Sequence, residues 1–128
     1  MNLVDSSAWL EYLADGPSAP FFAPAIEHPA RLIVPTVVLY EVFKRVLHER
    51  GESAALNVAA LLQQGRVVDL GAPLALAAAT FSDAHKLPMA DSIIYVTARA
   101  FDATLWTQDA DFEHLPHVRF RAAAGGRR

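Results

Sequence analysis

Short apolar runs, each followed by a turn signal and a stretch of helical periodicity, constrain this chain more than any other feature. The runs are Leu3-Val4, Arg31-Leu32-Ile33-Val34, Arg66-Val67-Val68-Asp69-Leu70 and Ala103-Thr104-Leu105-Trp106-Thr107, with Val118-Arg119-Phe120 as a small final strand. After the first come Ala8, Trp9, Tyr12 and Leu13 at helical spacing, the stop Asp15-Gly16-Pro17-Ser18, and room for another helical turn or two over residues 19–28. Ser6 or Ser7 is suited to cap that first helix, and Thr36, just past Pro35, to cap a long helix to about Arg50. Within that long helix Leu39, Phe43, Val46 and Arg50 follow the spacing of a packed face. Gly51 separates it from a helix over residues 53–64. Pro73 opens an Ala-rich helix to about His85, and Pro88 opens one over residues 89–101 that is apolar nearly all round. A short turn or helix is expected near Glu113 to Leu115.

Strands that alternate with helices in this way predict an α/β layered fold around a mostly parallel sheet of four or five strands. The 128 residues suit one domain, read as residues 1–121, with residues 122–128 as a flexible basic tail. With no cysteine, disulfides, thiolate nucleophiles and Cys-based metal sites are excluded. No basic region followed by an apolar run marks a signal peptide, and the most apolar window, residues 70–81, is too short to span a bilayer. A soluble, cytoplasmic protein is expected. Apolar residues make up 53% and charged residues 20%, a lean surface that leads us to expect an oligomer or a permanent partner. The net charge of -3 argues against indiscriminate nucleic-acid binding. It hides a local excess, because Arg119, Arg121, Arg127 and Arg128 follow His117 with no acid among them.

Parallel sheets place ligands beyond the carboxyl ends of their strands, where the following helices begin. Four acids fall at that edge: Asp5 and Asp109 just past two strands, and Glu41 and Asp91 in the first turns of two helices. Each has a plainer explanation. Asp5 and Asp109 can cap helices, Glu41 can pair with Lys44 or Arg45, and Asp91 can answer a helix dipole. Two details favour a joint role. Asp91 lies in a helix with little solvated face, where an unpartnered charge is expensive, and Glu41 lies close to the sheet edge. Clustered carboxylates repel, and a hard cation such as Mg2+ or Mn2+ removes that cost while also binding phosphate oxygens. Such an ion can also lower the pKa of a bound water and offset charge on a phosphodiester, which points to hydrolysis of a nucleic-acid backbone. Asp5, Asp91 and Asp109 are the expected metal ligands, directly or through water, and Glu41 completes the pocket and positions the metal-bound water. Ser6, Ser92 and Thr107 neighbour these acids and are candidates to orient them, while Asp111 either assists or shapes the turn. The five histidines show no metal-ligand spacing and are left out of the site.

The segments Val4-Asp5-Ser6-Ser7-Ala8-Trp9, Pro35-Thr36-Val37-Val38-Leu39-Tyr40-Glu41-Val42, Ala90-Asp91-Ser92-Ile93-Ile94-Tyr95 and Leu105-Trp106-Thr107-Gln108-Asp109-Ala110-Asp111-Phe112 resemble, in order, the motifs of PIN-domain proteins. The nearest likeness is to the VapC-type ribonuclease toxins of toxin–antitoxin pairs. By motif, Asp5, Glu41, Asp91 and Asp109 match the family's acidic quartet, Thr107 its usual hydroxyl residue, and Asp111 a frequent further acid. The resemblance implies a three-layer α/β/α domain and Mg2+- or Mn2+-dependent endoribonuclease activity. It further implies a homodimer and a cognate antitoxin. The alternatives are a structure-specific or single-strand deoxyribonuclease and a non-catalytic PIN-like binding protein. A phospho-receiver fits poorly, because Asp5 is followed by serines and no lysine occurs after Lys86.

Overall fold

The computed structural model of the chain describes residues 1–124, so Arg127, Arg128 and most of the expected tail lie outside the described residues. Five strands, β1 (Asn2–Val4), β2 (Leu32–Pro35), β3 (Arg66–Val68), β4 (Thr104–Thr107) and β5 (Val118–Phe120), form one sheet in the order β3-β2-β1-β4-β5. Every neighbouring pair is parallel. Among the described residues six α-helices flank the sheet: α1 (Ser6–Leu13), α2 (Ala19–Ile26), α3 (Thr36–Arg50), α4 (Glu52–Leu62), α5 (Ala72–His85) and α6 (Met89–Ala100). The expected α/β/α layering with a parallel sheet is what the chain adopts, at the upper end of the expected strand number.

The first strand is the centre of the sheet, with Leu3 in register with both Ile33 of β2 and Leu105 of β4. Parallel strands covered on both faces read as continuous apolar runs, and Leu3, Val4, Ile33, Val34 and Leu105 are all buried. Trp9, Phe22, Val38, Ile94 and Phe112 close the core from the flanking elements. Gly51, at φ 89, makes the left-handed bend between α3 and α4 that other residues adopt only with strain. β3 ends at Val68, short of its apolar run, and as a sheet edge it leaves its first two residues exposed.

Three local expectations are corrected. Asp5, not Ser6 or Ser7, caps α1: its carboxylate accepts from the Ala8 backbone N–H, and both serines are helical. Thr36 is likewise the first helical residue of α3, since Pro35 both ends β2 and occupies the cap position with no side-chain bond. The short helix after β4 is a 3-10 turn at Ala110–Phe112, earlier than expected, because Asp109 accepts from the Asp111 N–H and fully buried Phe112 anchors the segment.

Candidate active site

Because all five strands run the same way, their carboxyl ends form one edge, and the four acids singled out in the sequence line a single open cleft there. Its volume is about 570 Å3, and Ser6, Ser7, Tyr40, Lys44, Arg45 and His48 share its walls with Asp5, Glu41, Asp91 and Asp109.

Asp5 is the most constrained of the four. Its Oδ1 accepts from the Ala8 N–H at 3.0 Å and from Ser7 Oγ at 2.8 Å, and its Oδ2 accepts from Thr107 Oγ1 at 2.5 Å. A carboxylate offers about four lone-pair sites, so one on Oδ2 is left for a further partner. Thr107 Oγ1 in turn accepts from the Asp109 N–H at 2.8 Å. One buried hydroxyl thus ties the end of β1 to the loop after β4 and fixes where Asp109 leaves the sheet. Asp5 is only 3% exposed, and this burial pushes its carboxyl up to about 6, against the opposing pull of its hydrogen bonds.

One carboxylate oxygen from each of Asp91, Asp109 and Asp111 lies within 4.8 Å of the other two. Burial pushes Asp91 up to about 7, helped by the charge of Asp109, a hydrogen bond with Asp111, and the charges of Asp111 and Asp5. Glu41 is held from the side, with Ser6 Oγ donating to its Oε1 at 2.6 Å.

The structure therefore gathers Asp5, Glu41, Asp91 and Asp109, places Ser6 and Thr107 in contact with acids, and brings Asp111 into the cluster. Ser92 is not brought in: its Oγ donates to the Leu87 carbonyl at 3.1 Å, bonding back to the segment before α6. The plainer readings of Asp5 and Asp109 as caps are also true, since both accept the capping N–H bonds while facing the cleft. Sequence reasoning missed Ser7, which bonds to Asp5 and receives the Gln108 N–H at 3.3 Å. It also missed Tyr40 and His48. These flank Glu41 on the cleft side of α3 at the helical spacing 40, 44, 48, a periodicity readable once Glu41 is taken as a reference.

The donor set suits a hard divalent cation. Three carboxylates in mutual reach, one of them destabilised enough to titrate near 7, form an arrangement whose repulsion an ion such as Mg2+ or Mn2+ would relieve.

The profile of the PIN domain family matches residues 3–118, nearly the whole chain. The chain belongs to the PIN domain family. Solved structures agree on the fold of this PIN domain. A toxin–antitoxin complex from Klebsiella pneumoniae superimposes with a TM-score of 0.80 at 18% identity, covering 93% of this chain and 96% of that one. The sarcin-ricin-loop-cleaving toxin VapC20 of Mycobacterium tuberculosis gives 0.76 at 21% identity, covering 92% and 97%. DNA-bound VapBC from Salmonella typhimurium gives 0.71 at 15% identity, covering 95% and 98%. No curated protein matches the PIN domain described here by sequence.

Proposed function

We propose that this PIN domain is a divalent-metal-dependent endoribonuclease and the toxin of a toxin–antitoxin pair. The observation that carries the proposal is the acid cluster of Asp91, Asp109 and Asp111, of which Asp91 and Asp109 line the cleft together with Asp5 and Glu41. Solved relatives named as toxins and toxin–antitoxin complexes support the biological class. Asp91, Asp109 and Asp111 would hold the ion, and Asp5 offers its remaining Oδ2 lone pair. Such an ion supplies charge neutralisation at the phosphate and makes water a better nucleophile. The chain's own residues do the rest. Glu41, steadied by Ser6, orients a water in line with the scissile phosphate. The water oxygen bonds to phosphorus and releases a proton to solvent as the bond to the 3′-oxygen breaks and that oxygen takes up a proton from solvent, which leaves a 5′-phosphate and a 3′-hydroxyl. Thr107 keeps Asp5 and the Asp109 backbone in fixed relation throughout.

Two apolar surfaces support the proposed partners. One groove, formed by Leu39, Tyr40, Phe43, Leu47 and Ala59, shares Tyr40 and Lys44 with the acid cleft, so a segment of antitoxin seated there would abut the acids. The α5 helix buries only Ala78 of its fourteen residues and leaves Leu76 exposed, a face suited to a second copy in a homodimer. Among the described residues no helix is long and apolar enough to cross a membrane. A cytoplasmic setting completes the proposal.

Incubating the purified chain with end-labelled cellular RNA tests the chemistry. Cleavage is expected with Mg2+ or Mn2+, absent with excess chelator, and to leave 5′-phosphate ends. Products ending in 2′,3′-cyclic phosphate would overturn the mechanism. Cutting of single-stranded or flap DNA in preference to RNA would favour the deoxyribonuclease reading.

A further inference from the structure

The arginines of this chain differ in what holds them. Among the described residues Arg45 is paired with Glu49, and Arg99 donates to Asp102 and to the Ala103 carbonyl. Arg119 and Arg121 have no carboxylate within salt-bridge distance there, yet neither hangs free. The Arg119 guanidinium lies over the Trp106 ring at 4.6 Å and over Phe21 at 6.0 Å, and that of Arg121 lies over Phe21 at 4.4 Å. The register explains the arrangement. Arg119 of edge strand β5 is paired with Trp106 of β4, and alternate residues of a strand share a face, so Arg121 continues the same row. Phe21 of α2 packs against Trp106 at 5.5 Å between centroids and completes the platform. Stacking on rings fixes a guanidinium without consuming its N–H donors, which are laid out as a planar fork that matches phosphate oxygens.

The row ends at the acid edge. The Arg121 backbone N–H donates to the Thr107 carbonyl at 3.0 Å, and Thr107 is the residue whose hydroxyl holds Asp5. From this geometry we infer that Arg119 and Arg121, seated on Phe21 and Trp106, form a phosphate-binding track for single-stranded RNA that flanks the acid cleft. The inference rests on the ribonuclease reading for its choice of polyanion. It also reconciles an acidic protein with an RNA substrate: the acids occupy the cleft, and the backbone is gripped by two arginines with no carboxylate partner among the described residues. Two phosphates neutralised there would release counterions, with a slope of about -0.7 in log K against log salt for each on a single strand.

The test is fluorescence-anisotropy binding of a labelled, unstructured RNA oligonucleotide of about 20 nucleotides, titrated across salt concentrations without divalent metal so that no turnover intervenes. Parent, R119E/R121E and R119Q/R121Q are compared, with circular dichroism confirming that the variants are folded. If the charge reversal does not fold, the glutamine pair carries the test. Loss of at least about 10-fold in affinity, with a salt slope shallower by about 1.4, is expected. If the parent binds and both variants bind equally with the same slope, the track is wrong while the ribonuclease reading stands. If the parent binds no RNA, the track is overturned, and the metal-dependent cleavage assay decides the ribonuclease reading separately. If the variants keep RNA but lose a poly-glutamate peptide that the parent binds, the row serves an acidic protein segment and the RNA assignment is overturned.

Discussion

Asp91→Asn is expected to remove metal-dependent RNA cleavage by roughly 100-fold or more while leaving the fold intact. Losing a residue that merely orients a metal ligand typically costs 10–100-fold in affinity or activity, and Asp91 is one of the three carboxylates proposed to hold the ion. Its position in α6 makes the substitution structurally mild. Burial and the charges of Asp109, Asp111 and Asp5 already oppose its ionised form, so a neutral amide of the same shape relieves repulsion. The metal-free variant should therefore melt no lower than the parent at pH 8. Steady-state cleavage of an RNA oligonucleotide together with thermal melting checks both halves. A folded Asp91→Asn protein that cuts RNA at the parent's rate would remove Asp91 from the site.

Without metal, the chain should lose stability as pH rises from about 4 to about 7. Asp5 is held up at about 6 and Asp91 at about 7, while an ordinary Asp titrates near 3.8. Over that interval the folded chain binds more protons than the unfolded chain, so the linkage runs opposite to that of a salt-bridged carboxylate. The stabilising contribution is complete below the ordinary carboxylate value and is gone once pH passes the folded values. A melting temperature about 5 °C or more lower at pH 8 than at pH 5.5 is expected in excess chelator. Millimolar Mg2+ or Mn2+ should recover most of it at pH 8, because an ion that binds only the folded state stabilises by mass action. Asp91→Asn should flatten the pH dependence and blunt the recovery. A metal-free melting temperature that rises across the same interval would contradict the raised carboxyl groups.

The alternation of apolar runs with helical stretches was enough to read the layered fold, because a parallel sheet covered on both faces leaves that pattern directly in the sequence. Asp5, Glu41, Asp91 and Asp109 were legible for a related reason: a strand end and the start of the next helix lie at the same sheet edge. What pairs with what was not legible. That Ser7, Ala8 and Thr107 would engage three of the Asp5 lone pairs, and that Asp111 would stand beside Asp91 and Asp109, could not be read from spacing. Thr36 looked like a cap because hydroxyl residues favour that position, but the strand ahead of it runs through Pro35 and leaves Thr36 inside the helix. Ser92 neighbours Asp91 in sequence and turns away to Leu87, a direction set by helix geometry rather than by proximity. The stacked arginines depend on the β4–β5 register, which brings Trp106 and Arg119 side by side across thirteen positions of chain.

Calorimetric titration of Mn2+ into the purified, chelator-stripped chain at pH 7.5 tests the acid cluster most directly. Saturable binding is expected in the parent, accompanied by proton release from Asp91, and it should be weakened at least 10-fold in Asp91→Asn and in Asp109→Asn. Binding of equal strength in the parent and both folded variants would place the ion elsewhere and contradict the metal site on which the proposed ribonuclease rests.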